Sequence, residues 1–204
     1  MIGELFLCGV ITTDGTIDGG AASRTPRIVA DGRTFSYVLH QENPRLLITQ
    51  NDVRAIQLAK AALYAGVKLL MNRAGVVSVD RVGLAGAFGS HIDPVYALVL
   101  GLIPDCEPDH VKSVGNAAGS GAVWALLSGA ARAEIATVAR EITKIETAIE
   151  PEFQALFVGA MGIPHATDPY PLLGSVVTLP SPTDSTATSG RKRRRTRTSQ
   201  LEET

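Results

Sequence analysis

The chain has 204 residues, with 19 basic against 20 acidic side chains for a net charge of −1, and 45% hydrophobic residues of which few are aromatic. That length supports one domain with a proper core, and 19% charged residues with 20 glycines exclude a coiled coil, a collagen repeat and a wholly disordered chain. Cys8 and Cys106 lie far apart with no Cys or His at ligand spacing. This excludes a disulfide framework, a zinc knuckle and an iron–sulfur ligand set, and makes a reducing cytoplasm the natural setting.

The opening stretch lacks a basic region and soon reaches Thr12-Thr13-Asp14-Gly15, so it fits neither a signal peptide nor a lipoprotein anchor and reads like the middle of a domain. Residues 1–47 alternate short apolar runs, among them Leu5-Phe6-Leu7 and Thr34 to Leu39, with the turn pairs Asp14-Gly15, Gly19-Gly20 and Asp31-Gly32. They are expected to be β-rich with hairpin turns. Thr49-Gln50-Asn51-Asp52 matches a capping box and predicts a helix from about Asn51 to Asn72. Val53, Ile56, Leu63, Val67 and Leu70 are its expected buried stripe, with Lys60 inside it.

Val79 to Ala85 reads as a strand ending in Gly86-Ala87-Phe88-Gly89, after which Asp93 caps a helix with Pro94 in its first turn and Gly101 at its end. A strand at Val111 to Val114 leads through Gly115-Asn116 into the small-residue helix Ala117 to Leu127. A long helix with Ile135, Val138, Ile142, Ile145 and Ile149 on one face follows, then one near Pro151 to Met161. The order predicts an α/β fold, a mixed sheet flanked by helices. Residues 173–204 are expected to form a tail, disordered from about Leu179 and ending in a basic run from Arg191 to Arg197. Residues 1–180 carry 13 basic against 17 acidic groups, which argues against a nucleic-acid surface. The longest apolar run, Tyr96 to Ile103, is too short to span a membrane.

The motifs each have a plain reading and a chemical one. Gly86-Ala87-Phe88-Gly89 is a tight turn, or a loop that lets a nucleotide approach the backbone at the carboxyl end of a strand. Gly115 to Ala122 opens a helix without the Lys-Ser/Thr ending of a P-loop, so it signals close packing or a hinge beside a ligand. Lys60 either snorkels to water or turns its ammonium toward a cleft. Asp14-Gly15-Thr16 is similar to the phosphate loops of actin-like ATPases, but between short strands it reads as a hairpin turn. His91, His110 and His165 read as surface or loop residues, and no Ser/His/Asp or Cys/His set can be assembled.

Taken together, Ile48-Thr49-Gln50-Asn51-Asp52-Val53-Arg54 with Gln57 and Ala59-Lys60-Ala61-Ala62, Leu84 to Gly89 with Ile92-Asp93, Gly101-Leu102-Ile103-Pro104, and Val114 to Ala118 with Gly121-Ala122 closely resemble one family. It is the C-terminal ATPase domain of the reductive activators of corrinoid proteins, within the acetate and sugar kinase, heat-shock chaperone and actin superfamily. The resemblance is ordered over about Ile48 to Pro164 and looser before it. It implies a ribonuclease-H-like fold, mainly the second half of the domain, with residues 1–47 its β-rich beginning and 48–172 its α/β core.

By the same resemblance, Asp52, Gln57 and Lys60 border the adenosine side of an ATP and Mg2+ cleft. Gly86, Ala87, Phe88 and Gly89 form the adenosine loop, and Gly115 with Asn116 begins the segment at the hinge. Full-length relatives carry a ferredoxin-like domain whose four cysteines hold a [2Fe–2S] cluster, and then a first ATPase half. They use ATP to drive reduction of Co(II) corrinoid to Co(I), rescuing a corrinoid-dependent methyltransferase. Two cysteines cannot hold that cluster. The chain is therefore expected to serve a corrinoid protein together with a ferredoxin-plus-first-half polypeptide and to be inactive alone. The alternatives are a docking module with an empty cleft and, less favoured, a stand-alone kinase relative.

Overall fold

The computed structural model describes residues 1–180; the expected disorder beyond Leu179 and the basic run Arg191 to Arg197 lie outside the described residues, save Pro180. The chain opens on helix α1 (Ile2–Leu7), where a strand-like run was expected. Leu5 and Phe6 point into the core together with Gly3, and a three-residue apolar run does not by itself separate a helical from an extended period. Residues 28–48 are the expected antiparallel strands β1 (Ile28–Asp31), β2 (Thr34–His40) and β3 (Leu46–Ile48), in the order β1-β2-β3. Their first turn sits at Asp31-Gly32, with Asp31 opposite Thr34 and Gly32 at φ +61°.

Helix α2 (Gln50–Ala74) begins as the capping box requires. Asp52 N donates to Thr49 Oγ1, while Thr49 N donates to Asp52 Oδ2 at 2.8 Å. It ends at Gly75, left-handed at φ +67°, where Val76 N donates back to Met71 O. The expected stripe needs correction. Ile56, Leu63 and Leu70 are exposed, and the face turned to the core carries Val53, Gln57, Lys60, Ala61, Tyr64 and Leu69. The inward positions include two long polar side chains with partners waiting for them, so hydrophobic periodicity selected the neighbouring face.

Strands β4 (Val82–Ala85) and β5 (Val111–Gly115) form a parallel pair, a second sheet separate from the antiparallel one. Between them lie α3 (Gly86–Gly89) and α4 (Pro94–Val99), the latter capped by Asp93 Oδ1 accepting from Tyr96 N at 3.1 Å. Helix α5 (Ala117–Leu127) and helix α6 (Gly129–Glu141) then form a hairpin. The long helix expected to reach Ile149 stops at Glu141, and α7 (Phe153–Gly159) follows.

The expected tail boundary after residue 172 is also corrected, because α8 (Pro171–Val176) crosses it. Asp105 accepts from Leu172 N at 2.8 Å and Leu173 N at 3.1 Å, and Leu173 is wholly buried in the core with Phe6, Ile11, Leu98 and Ile163. Leu173→Ala is expected to lower unfolding stability by about 2–5 kcal/mol. In urea melts, a truncation after Leu179 should unfold with the full chain. A midpoint for Leu173→Ala that matches the full chain would show that α8 is not part of the cooperative core.

Candidate functional site

The inner face of α2 clamps two loops by their backbones. Gln50 accepts from Ile17 N at 2.8 Å and donates to Gly15 O at 2.7 Å. Two turns further, Gln57 Nε2 donates to Asp14 O at 3.0 Å and to Met161 O at 2.6 Å. Gly15, at φ +81°, lies where any β-carbon would overlap the Gln57 amide, so only glycine allows this approach. The Asp14-Gly15-Thr16 turn is thus a structural hairpin, closed by the Ile11–Ile17 bridge. Its carboxylate accepts from Thr12, from Thr16 N and from Thr16 Oγ1; burial pulls the Asp14 pKa upward, yet these bonds leave it below the ordinary value.

Lys60 lies one turn beyond Gln57 and is 1% exposed. Its Nζ donates to Gly162 O and, at 2.7 Å, to Pro164 O, and burial pushes its pKa down to about 7. Tyr64 donates to Asp168 Oδ2 at 2.7 Å, and Lys68 meets the same oxygen at 2.9 Å. Burial alone would raise the Asp168 carboxyl, but Lys68 and Tyr64 hold it below its usual range. His165 stacks on Tyr64 with ring centroids 4.7 Å apart and accepts from Asp168 N through Nδ1 at 2.8 Å. The neutral ring therefore carries its proton on Nε2, and burial lowers its pKa. The expected loop position of His165 holds, but its side chain is buried. Gln57 Oε1 and His165 Nε2 have no hydrogen-bond partner among the described residues.

A different group of motif residues meets at the carboxyl ends of β4 and β5. Ala85 pairs with Gly115 in the parallel register, so the turns at Gly86 (φ +89°) and Gly115 (φ +71°) lie side by side. Gly89 closes the first turn against β4: a β-carbon there would sit 2.6 Å from Leu84 O. Asn116 caps α5, its Oδ1 accepting from Gly119 N at 2.9 Å. Beside it lies an open concavity of about 390 Å³ lined by Asn116, Gly119, Ser120, Val123 and Trp124. No carboxylate lines it. Gly86, Ala87, Gly89, Gly115 and Asn116 thus meet at one end of the β4–β5 pair; the side chain of Phe88 lies outside the described residues.

The expected set therefore divides. The glycine turns come together, whereas Asp52 closes the α2 cap in solvent and Gln57 and Lys60 hold interior carbonyls. Among the described residues the three therefore do not meet at one surface: Asp52 is exposed, while Gln57 and Lys60 are turned inward. Neither Gln57 nor Lys60 is open to a ligand, because the Met161 to Pro164 segment covers both. Trp124 and Ser120, absent from the expected set, line the concavity. The only signal for them in the sequence was the chain's single tryptophan placed in a helix of Gly, Ala and Ser.

Among the described residues no group of three or more His, Cys, Asp or Glu side chains could hold a metal ion, and no helix is long and apolar enough to cross a membrane. A family profile described as the C-terminal domain of RACo, the ASKHA domain, matches residues 1–173. The chain is similar to the corrinoid activation enzyme RamQ of Eubacterium limosum, at 41% identity over 164 residues, 74% of this chain and 28% of that protein. It is also similar to the solved structure of a reductive activator for corrinoid, iron–sulfur protein, with 33% identity and a TM-score of 0.67 over 80% of this chain and 27% of that one. The chain thus spans a little over a quarter of the length of each of these relatives.

Proposed function

Because the chain belongs to the family of RACo C-terminal ASKHA domains, we propose that it forms the adenosine side of an ATP cleft in an activator of a corrinoid protein. The reading is carried by the pairing of Ala85 with Gly115, which sets two left-handed glycine turns against each other beside the Asn116–Trp124 concavity. A planar base could stack on the Trp124 ring, with the Ser120 hydroxyl and the Asn116 amide in reach of its polar edge. The concavity offers no carboxylate for Mg2+, so the phosphate side and its metal belong to another segment. Phosphoryl transfer depends on charge positioned around the phosphates. When that segment is joined, ATP turnover would be coupled to reduction of the corrinoid cobalt, with the electron supplied by a donor outside this chain. Cytoplasmic location and service to a methyltransferase belong to this same proposal.

The chain alone should bind ATP weakly and hydrolyse it negligibly. The Trp124 emission should change saturably with ATP and about equally with adenosine, with no dependence on Mg2+. Tight Mg2+-dependent binding in calorimetry, or turnover above a heat-killed control, would show a complete catalytic site and overturn the half-cleft reading. An unchanged emission with both ligands would favour the second reading, a docking module with an empty cleft. The observation behind that alternative is the amount of apolar side chain that α5 and α6 leave exposed.

A further inference from the structure

Residues 161–168 are seated on α2 by side chains of the helix: Gln57 and Lys60 hold three of their carbonyls, and Tyr64 with Lys68 holds the Asp168 carboxylate. None of these bonds uses the imidazole of His165, although its side chain is only 4% exposed. The ring instead orders the turn that follows it. Three donors converge on Nδ1: Asp168 N at 2.8 Å, Thr167 N at 3.2 Å and the Thr167 hydroxyl at 3.4 Å. A ring nitrogen that accepts from backbone amides has no place for a proton of its own. The other nitrogen, Nε2, faces Gly159, where a β-carbon would lie 3.5 Å from it, and it has no partner among the described residues. The seat therefore admits one form of histidine, the neutral ring with its proton on Nε2.

We propose that His165 is a proton-operated latch: a proton taken up from solvent at Nδ1 displaces the Thr167 and Asp168 amides and lifts residues 161–168 from α2, uncovering Gln57 and Lys60. Asp168 Oδ1 lies 4.0 Å from Nδ1. In turning to meet the new N–H, this carboxylate gives up Tyr64 and Lys68, so one proton undoes both the turn and its tie to the helix. The groups around the ring set where this happens. From α2, Lys60 and Lys68 oppose a further positive charge, and Lys60, with its pKa pushed down to about 7 by burial, is itself charged in acid. The Tyr64 phenol stacked on the ring and the neighbouring Tyr170 are held neutral by burial. Helix α7 brings no ionisable side chain, and within the turn only Asp168 favours the charge. Burial, aided by the two lysines, outweighs Asp168 and keeps the ring below the ordinary histidine value. The latch is closed at neutral pH and opens in acid.

The test follows the full chain by 15N spectra of the His165 ring and by amide hydrogen exchange, from about pH 8 to about pH 5, a range that spans the ordinary histidine value. At neutral pH the Nδ1 resonance should be that of an unprotonated nitrogen. Corrected for intrinsic rates, protection of the Ala166, Thr167 and Asp168 amides should fall about tenfold per pH unit once pH drops below about 6.5, and the fall should end at the midpoint of the ring's own titration. Amides of the β1–β2 hairpin should keep their protection throughout. His165→Asn keeps an acceptor in the place of Nδ1 but has no proton to take up, so protection in its turn should stay flat over the same range. An equal acid loss in His165→Asn and the unmodified chain overturns the proposal. A ring that titrates with no loss of protection, that is protonated at Nδ1 at neutral pH, or that titrates at or above the ordinary value does so too. Should His165→Asn fail to fold, the agreement or disagreement between ring titration and protection in the unmodified chain decides.

Discussion

Replacing Lys60 by methionine is expected to lower unfolding stability by about 2–4 kcal/mol, more than any surface substitution in this chain. Methionine fills nearly the same space, so little of the loss comes from a cavity. What is lost is the donor shared by Gly162 O and Pro164 O, and each buried carbonyl left without a partner costs about 1–3 kcal/mol. Part of that cost is offset because an ammonium no longer has to leave water. The same burial gives a signature in pH. With the folded pKa depressed to about 7 from 10.5, the unfolded chain binds more protons between these values. The Lys60 contribution should therefore make the protein more stable as pH rises through that window, and the rise should flatten in Lys60→Met. Urea melts of both proteins from pH 7 to 10 measure both effects. Unchanged stability together with weaker adenine-nucleotide binding in the complex would return Lys60 to the cleft.

Gly101→Ala should be at least as damaging, by about 3 kcal/mol or more. Gly101 sits at φ +67°, where a residue with a β-carbon is disfavoured by roughly 1–2 kcal/mol. The larger part is steric: the new methyl would overlap Pro164 O, the carbonyl that Lys60 holds, and would lie 3.2 Å from Lys60 Nζ. Accommodating it means displacing Pro164 and weakening the bond to Lys60. The two substitutions should therefore be strongly non-additive, the double variant losing clearly less than the sum of the singles. Full additivity in a double-mutant cycle would mean that the two residues act on separate parts of the core.

These two residues also show what could and could not be read from the sequence. The cap of α2 was legible because Thr49 and Asp52 meet within one turn, and so was the start of α4 at Asp93-Pro94. Local chemistry leaves a local signal. The glycine turns at Gly86 and Gly115 were legible as turns, but their adjacency depends on the register of β4 against β5, which no local pattern reveals. Lys60 and Gln57 were legible only as anomalies on a helix. Their partners are backbone carbonyls, which have no residue identity, so nothing in Met161 to Pro164 announces them. The end of the ordered chain is not legible locally, because the helix carrying Leu173 is short and is held by Asp105 from far upstream.

The Lys60 bond to Pro164 closes a separation of 104 residues, and that has a consequence for the order of events during synthesis. At about 5–20 residues per second, the carbonyl that receives this ammonium is made roughly 5–20 s after the lysine itself. Throughout that interval the inner face of α2 carries a hydrated charge with no acceptor and an amide that lacks its Met161 carbonyl, so the helix has a reason to stay in water rather than bury itself. Premature collapse of the growing chain is disfavoured by the same side chain that later locks the finished one. Nascent chains that have emerged from the exit tunnel to any point between residues 75 and 160 should accordingly display α2 as protease-sensitive, and protection should arrive abruptly once Pro164 clears the tunnel.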